Sequence, residues 1–433
     1  MKLSQELALI FTLLLGILST PLVAFAPSRS FPKSKLLPSL HSQQRGDHTT
    51  TCLWSLARRD LLVGSSAVLL SALQAQEAAS ATTVVEQAPL ADLPMIRLRL
   101  PKNGFGREYV ALKLKIKGEG PFDFMVDTGL TTEFITPHLQ QTLGIGKNNN
   151  KKNTGSSKLR GSGAGGDTGA ITELVELKGA ALCWGKIGGG NGVTNELLPL
   201  PTLHAIITDF PQEHIDPAHD PVEGMLGMEM LSLFDVDFDF PAGRIRFWKQ
   251  GTAAASAATK AGLVDISAVV INETGLIGIR LSTPGTTQPV LALLDCGSTF
   301  SVVNWQAAKL LGLPERQDPV YRNGPVISAL GIDGRPLQLP TAKKVLTFAG
   351  DIIQDPSSST TGFQAPPPNW KPWNAVQLAV GDLPVFSSAL GDGVRPYTGP
   401  AALIGLDILA QRRVIFETGA GNTRRRRILV SPK

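Results

Sequence analysis

An all-β chain in two similar halves is the fold class this sequence predicts, and three observations carry it. Glycine and proline account for 44 and 31 of 433 residues, which favours short strands and tight turns over long helices. Apolar and polar residues alternate over 95–100 and 109–116, the period of half-buried strands. Residues 122–144, an apolar run, an acidic turn and a short amphipathic stretch, recur at 290–312 with the same seventeen-residue step from an Asp to a closing Gly.

The chain is 42% hydrophobic, enough to bury two cores of ordinary size. Its formal charge is +5, and beyond residue 81 the balance is 34 basic against 32 acidic residues. Nothing in that balance calls for nucleic acid or an anionic membrane. Of the cysteines, Cys52, Cys183 and Cys296, the first lies in the leader, so no disulfide framework or metal-binding spacing exists. Cys183 and Cys296 read as buried thiols.

Taken in order, the chain opens with three addresses. Residues 1–24 run from Lys2 through an apolar stretch to Pro21 and Ala24, the composition of a secretory signal peptide. A membrane anchor is the alternative, disfavoured by Gly16, Ser19, Thr20 and Pro21. Residues 25–57 begin Phe25-Ala26-Pro27, are rich in Ser, Thr, Lys, Arg and His, and read as a transit segment. Residues 58–81 place Arg58-Arg59 before an apolar stretch and end Ala79-Ser80-Ala81, which resembles a twin-arginine export signal. The succession resembles the multipart leaders of secondarily acquired plastids. It implies a plastid address, the thylakoid lumen, with the secretory pathway or a membrane-anchored form as the alternative. No stable membrane span is expected in the mature chain.

The first half is assigned to 82–248. After its acidic turn, Thr136 is the expected helix cap, Pro137 the first helical residue and Gly144 the stop. Residues 146–169 read as an exposed loop whose glycine cluster is either a hairpin tip or a plain linker. That cluster lacks the Lys and the strand-to-helix context of a phosphate loop. Residues 249–262 are the linker and 263–433 the second half, where Asn304 is the cap, Gly312 the stop, and Asp333-Gly334 a tight hairpin. Each half closes on a matched block. Leu226-Gly227 precedes Phe238, and Ile404-Gly405 precedes Phe416, by the same eleven-residue step from Gly. Gly227 and Gly405 would let a strand cross closely behind each acidic turn. A Pro/Ser-rich insertion, 355–373, interrupts the second half.

Two carboxylates held close enough to share a proton provide a general base and a general acid in one site. Such a pair activates water against an amide carbonyl and protonates the leaving nitrogen, with no metal or cofactor. Asp127-Thr128-Gly129 and Asp295-Cys296-Gly297-Ser298, each with its apolar-Gly partner, resemble the two halves of a pepsin/retropepsin-type aspartic protease over residues 95–430. The resemblance implies a bilobal acid-protease fold of two pseudo-symmetric, barrel-like lobes with short helices. It also implies a catalytic pair of Asp127 and Asp295, a protein or peptide substrate, and hairpin flaps near Gly165, Gly166, Gly331 and Gly334. A single chain of this kind is expected to act as a monomer. The family carries a hydroxyl after each Asp to tie the turns together. Thr128 matches and Cys296 does not, so a weaker tie is expected, since a thiol donates poorly. Ser298 matches the position after the Gly, and Leu130 departs from it. No flap tyrosine is evident. A non-catalytic peptide- or protein-binding module on the same fold is the alternative function.

Three other features read blandly. His214, His219 and their acidic neighbours sit in a Pro-rich loop that fixes no ligand geometry. Residues 424–427 are a charged hairpin tip rather than a nucleic-acid contact. Trp370 and Trp373 are expected to pack the insertion onto its own lobe.

Overall fold

Strand-forming residues dominate the computed structural model. It describes residues 16–17, 88–102, 104–146, 162–163, 166–167, 174–187, 193–209, 212, 215–253, 262–271, 274–286, 288–330, 336–354, 361–391, 395–418 and 426–433. The three leader segments lie outside the described residues, except for Gly16–Ile17, a two-residue strand paired with Ser162–Gly163.

The alternation at 109–116 becomes the strand Tyr109–Ile116, which pairs antiparallel with Glu119–Val126, the strand that delivers Asp127. Beyond the turn, Glu133–Ile135 does not pair with the acid strand. The strand Val222–Leu226 slips between them, parallel to Glu119–Val126 and antiparallel to Glu133–Ile135. The second half repeats the arrangement. Ala401–Ile404 lies parallel to Val290–Leu294, which delivers Asp295, and antiparallel to Val302–Val303. Next in line come Leu203–Ile207 and Trp373–Val380, each parallel to the short strand beside it. The expected all-β fold in two pseudo-symmetric, barrel-like halves with short helices is what the chain adopts.

The helix that follows each acidic turn is capped as the sequence announces. The Thr136 hydroxyl accepts the Leu139 N–H at 3.0 Å, Pro137 opens the helix Pro137–Leu143, and Gly144 ends it at φ 61°. In the second half, Asn304 Oδ1 accepts the Ala307 N–H at 2.8 Å at the start of Trp305–Leu310.

A third sheet joins the halves. Its order is Val264–Ser267, Arg427–Val430, Arg413–Glu417, Asp235–Asp239, Arg244–Trp248, Ala91–Pro94. The central pairing, Val236 with Phe416 and Phe238 with Val414, crosses from one half to the other. Thus the two closing blocks that match in sequence also pair in space. Phe238 meets Phe416 edge to face at 5.6 Å, and Phe238 and Phe247 are wholly buried. Each such side chain contributes roughly 1.5–3 kcal/mol by leaving water. On the same strands, Asp237 is buried and takes Arg413 Nε at 2.8 Å and Nη2 at 2.6 Å, with Arg246 Nη1 at 3.2 Å.

The insertion is anchored as expected. Trp370 and Trp373 are buried and meet edge to face at 4.9 Å, and Trp370 Nε1 donates to Thr347 at 3.0 Å. The Arg412 guanidinium lies 4.2 Å from the Trp370 ring and 5.1 Å from that of Trp373. Of the basic run, Arg426 donates to the Gly275 carbonyl at 2.8 Å and Arg427 pairs with Glu417 at 2.5 Å. His219 accepts the Arg99 N–H at 3.0 Å, and His214 lies outside the described residues. Cys183 and Cys296 are free and buried.

Candidate active site

Asp127 and Asp295 leave their strands at equivalent points and meet where the halves join, both without solvent exposure. Their backbones are held by mirrored bonds. The Asp127 N–H donates to Leu226 O and that of Asp295 to Ile404 O, each at 2.9 Å. Each carboxyl is then pinned through one oxygen, Gly129 N–H to Asp127 Oδ1 and Gly297 N–H to Asp295 Oδ1, both at 2.8 Å.

The glycines have a second reason to be there. A Cβ on Gly129 would stand 2.6 Å from the Asp295 carboxyl carbon, and one on Gly297 would collide with the Asp127 carboxyl. Each turn therefore packs its bare backbone against the acid of the other. Behind them, Gly227 lies against the backbone of Leu130 and Thr132, and Gly405 against that of Ser298 and Phe300. There Met228 N–H reaches Leu130 O and Leu406 N–H reaches Ser298 O, both at 2.8 Å. Ser298 spends its hydroxyl on Phe300 O at 2.7 Å, and Leu130 is buried in the core.

The tie between the turns is complete despite the thiol. Thr128 Oγ1 accepts the Cys296 N–H at 3.0 Å and donates to Leu294 O at 2.9 Å. In return Cys296 Sγ accepts the Thr128 N–H at 3.3 Å and donates to Val126 O at 3.2 Å. The expected weakening is therefore one of bond strength and not of connectivity, because sulfur sits within its longer reach of both partners. Burial and the nearby Asp127 charge push the Cys296 thiol well up, so it remains protonated and able to donate.

The remaining oxygens, Asp127 Oδ2 and Asp295 Oδ2, are buried and find no donor among the described residues. Two carboxylates are all acceptor, so these side chains can bond each other only if one carries a proton. The electrostatics favour that state. Burial pushes Asp127 up to about 6. Burial, and then the charge of Asp127, raise Asp295 well above the ordinary carboxylate range. The pair retains a proton under conditions in which isolated aspartates would be fully ionised.

Of the flap candidates, Gly166 belongs to a small hairpin in which Gly163 pairs with Gly166. Gly165, Gly331 and Gly334 lie outside the described residues. The antiparallel pairing on either side of residues 331–335 is described up to the Leu330–Pro336 pair.

Two groups escaped the sequence reading. Tyr109 is wholly buried and shares a hydrogen bond with Thr299; burial first, and then the charges of Asp295 and Asp127, raise its phenol well above the ordinary value. Its signal was slight: one of three tyrosines in the chain, opening a strand of aliphatic residues interrupted by Lys113 and Lys115. Behind the first turn, buried Glu133 accepts the Met230 N–H at 3.0 Å and feels the charge of Glu229. Glu229 in turn takes Thr132 Oγ1 and His204 Nδ1, each at 2.8 Å. Burial first, and Glu229 second, push Glu133 up to about 8. The second half has Ser301 on Asp407 in the equivalent place, at 2.6 Å.

No protein-family model and no curated protein matches the chain. Among solved structures, conglutin gamma, a basic 7S globulin from lupine seeds, overlays with a TM-score of 0.37 at 10% identity, covering 79% of this chain and 95% of its own. Basic 7S globulin from soybean gives 0.36 at 10% identity, covering 80% and 96%. Likeness this distant carries no statement about activity.

Proposed function

We propose that the chain is an aspartic endopeptidase in which Asp127 and Asp295 activate a water molecule against a peptide carbonyl. The observation that carries this reading is the mirrored pinning of one oxygen of each carboxyl, which leaves Asp127 Oδ2 and Asp295 Oδ2 buried and unpaired. Pinned acids cannot swing away to solvent, and in the low-dielectric seam the charge left by the first ionisation makes the second proton harder to remove. In the singly protonated pair, the ionised carboxyl takes a proton from water as it attacks the substrate carbonyl. The protonated partner hydrogen-bonds the carbonyl oxygen as charge builds there. Return of a proton to the amide nitrogen releases the amine and restores the pair. An extended peptide segment is the substrate this reading implies, laid between the halves. The composition of the three-part leader supports a plastid address for the mature enzyme, in the thylakoid lumen, with the secretory pathway or a membrane-anchored form as the alternative.

Cleavage of an unfolded protein by the purified mature chain tests the chemistry. Activity in the wild type, and loss of about a thousandfold or more in both Asp127→Asn and Asp295→Asn, is expected for a unit that works as a pair. Equal cutting by all three would refute the assignment. Tight peptide binding without any cleavage would instead establish a binding module. A fluorescent fusion of residues 1–90 that accumulated outside plastids would overturn the address.

A further inference from the structure

Between the strand Ile96–Leu98 and Tyr109 the chain runs along the junction of the halves and walls a cavity of about 650 Å³. Arg97, Arg99, Lys102 and Arg107 line it, against the single acid Glu108, while Phe240 and Ala410 bring in one residue from each closing block. Arg99, Lys102 and Arg107 are exposed, and among the described residues none of them makes an ion pair. Arg97 is fixed in place by its bond to Phe240 O at 2.9 Å and by the Phe240 ring 5.5 Å away.

Surface cations ordinarily alternate with anions. Here four converge on a concave wall, where field lines concentrate and an anion is drawn in. The spacing limits what that anion is. Arg97 and Arg99 flank buried Leu98 on an extended chain, which puts their side chains on one face about 7 Å apart. An extended peptide with acids at alternate positions repeats at the same interval, and a guanidinium fork accepts a carboxylate edge on. A volume of this size also exceeds what a single small oxyanion fills. The wall touches the candidate active site as well. The Arg107 N–H donates to Thr299 O at 3.0 Å, and Phe105 packs on Phe300 at 5.9 Å, both within the turn that follows Asp295.

We infer that this cavity is a binding site for an extended acidic peptide segment, held by Arg97, Arg99, Lys102 and Arg107 beside the second acid turn. The site requires no cleavage, so it stands or falls separately from the catalytic reading.

Fluorescence anisotropy on the full mature chain carrying Asp127→Asn provides the test, with a labelled hexapeptide of alternating Glu and Val and its Gln counterpart. The Glu peptide binds about tenfold or more tightly than the Gln peptide, and Arg99→Glu and Lys102→Glu each remove that advantage. Lys309→Glu, on the helix Trp305–Leu310, makes the same change in net charge and leaves binding intact. Equal loss in Lys309→Glu would reduce the effect to overall charge and overturn the site. Displacement of the peptide by submillimolar inorganic phosphate would make it a site for small oxyanions and overturn the peptide assignment. Because Lys102 makes no bond to the rest of the described structure, its variant remains informative if Arg99→Glu lowers the melting temperature.

Discussion

Thr128 and Cys296 each receive the other's backbone N–H in a side chain, and each donates to the carbonyl that precedes the opposite acid. Truncating either leaves a buried N–H and a buried C=O unpaired. Thr128→Ala should cost about 2–4 kcal/mol and Cys296→Ala somewhat less, since sulfur bonds are weaker. Cys296→Ser keeps a donor and an acceptor and should stay within about 1 kcal/mol of wild type. Urea denaturation ranks the three. A Thr128→Ala chain as stable as Cys296→Ser would show that these bonds do not hold the turns.

The pH dependence of cleavage follows from the pair. With Asp127 pushed up to about 6 and Asp295 higher still, the singly ionised form accumulates only as pH rises through about 6. Below that point kcat/KM should fall about tenfold per pH unit, and above it level off. Initial rates across this range check the claim, and a flat acid limb would contradict it. A strongly acidified compartment would hold most molecules in the doubly protonated form.

Glu133 makes a separate prediction about stability. Its folded value of about 8 lies above the ordinary 4.5, so folding favours the protonated acid. Stability is therefore full below about pH 4.5 and is lost as pH rises through about 8. Glu133→Gln imitates the protonated side chain, can donate to Glu229 and still accepts the Met230 N–H. It should match wild type at acid pH and gain a few kcal/mol, about 5 at most, at the alkaline end. Thermal unfolding at the two extremes reads the difference. An advantage that does not grow with pH would acquit Glu133.

Much of this was legible in the sequence, because duplication makes a weak signal strong. Asp127 alone marks a turn, whereas Asp127 and Asp295 in register, each with a capped helix and an apolar-Gly block, define a pair. Thr136, Asn304 and Gly144 behave as local chemistry dictates. What stayed hidden depends on partners far along the chain. Glu133 occupies a strand position that looks solvent-facing until Glu229 and the Met230 N–H arrive from nearly a hundred residues away. Asp237 and Arg413 likewise alternate with apolar neighbours as surface residues do. The burial of Asp237 depends on the cross-half strand pairing, which no local pattern announces.

That ion pair can be tested directly. Arg413→Ala leaves buried Asp237 with Arg246 alone, at 3.2 Å, and should cost about 3 kcal/mol. Adding Asp237→Asn removes the stranded charge and should recover part of the loss. Strict additivity in the double variant, measured by denaturant titration, would show that the two residues are not coupled.

The register that sets Val236 against Phe416 and Phe238 against Val414 treats the two strands as interchangeable. Cut at residues 249–262, each half would expose the strand edge that now pairs with the other half, and two separate molecules could meet edge to edge in the same antiparallel register. Joining them in one polypeptide replaces a concentration-dependent encounter with a tethered one. It also removes a restriction that identical copies must obey. A symmetric dimer carries the same residue on both sides of its axis, whereas this chain sets a hydroxyl against a thiol. The fusion thus allows the two acids to acquire different neighbours and divide their labour.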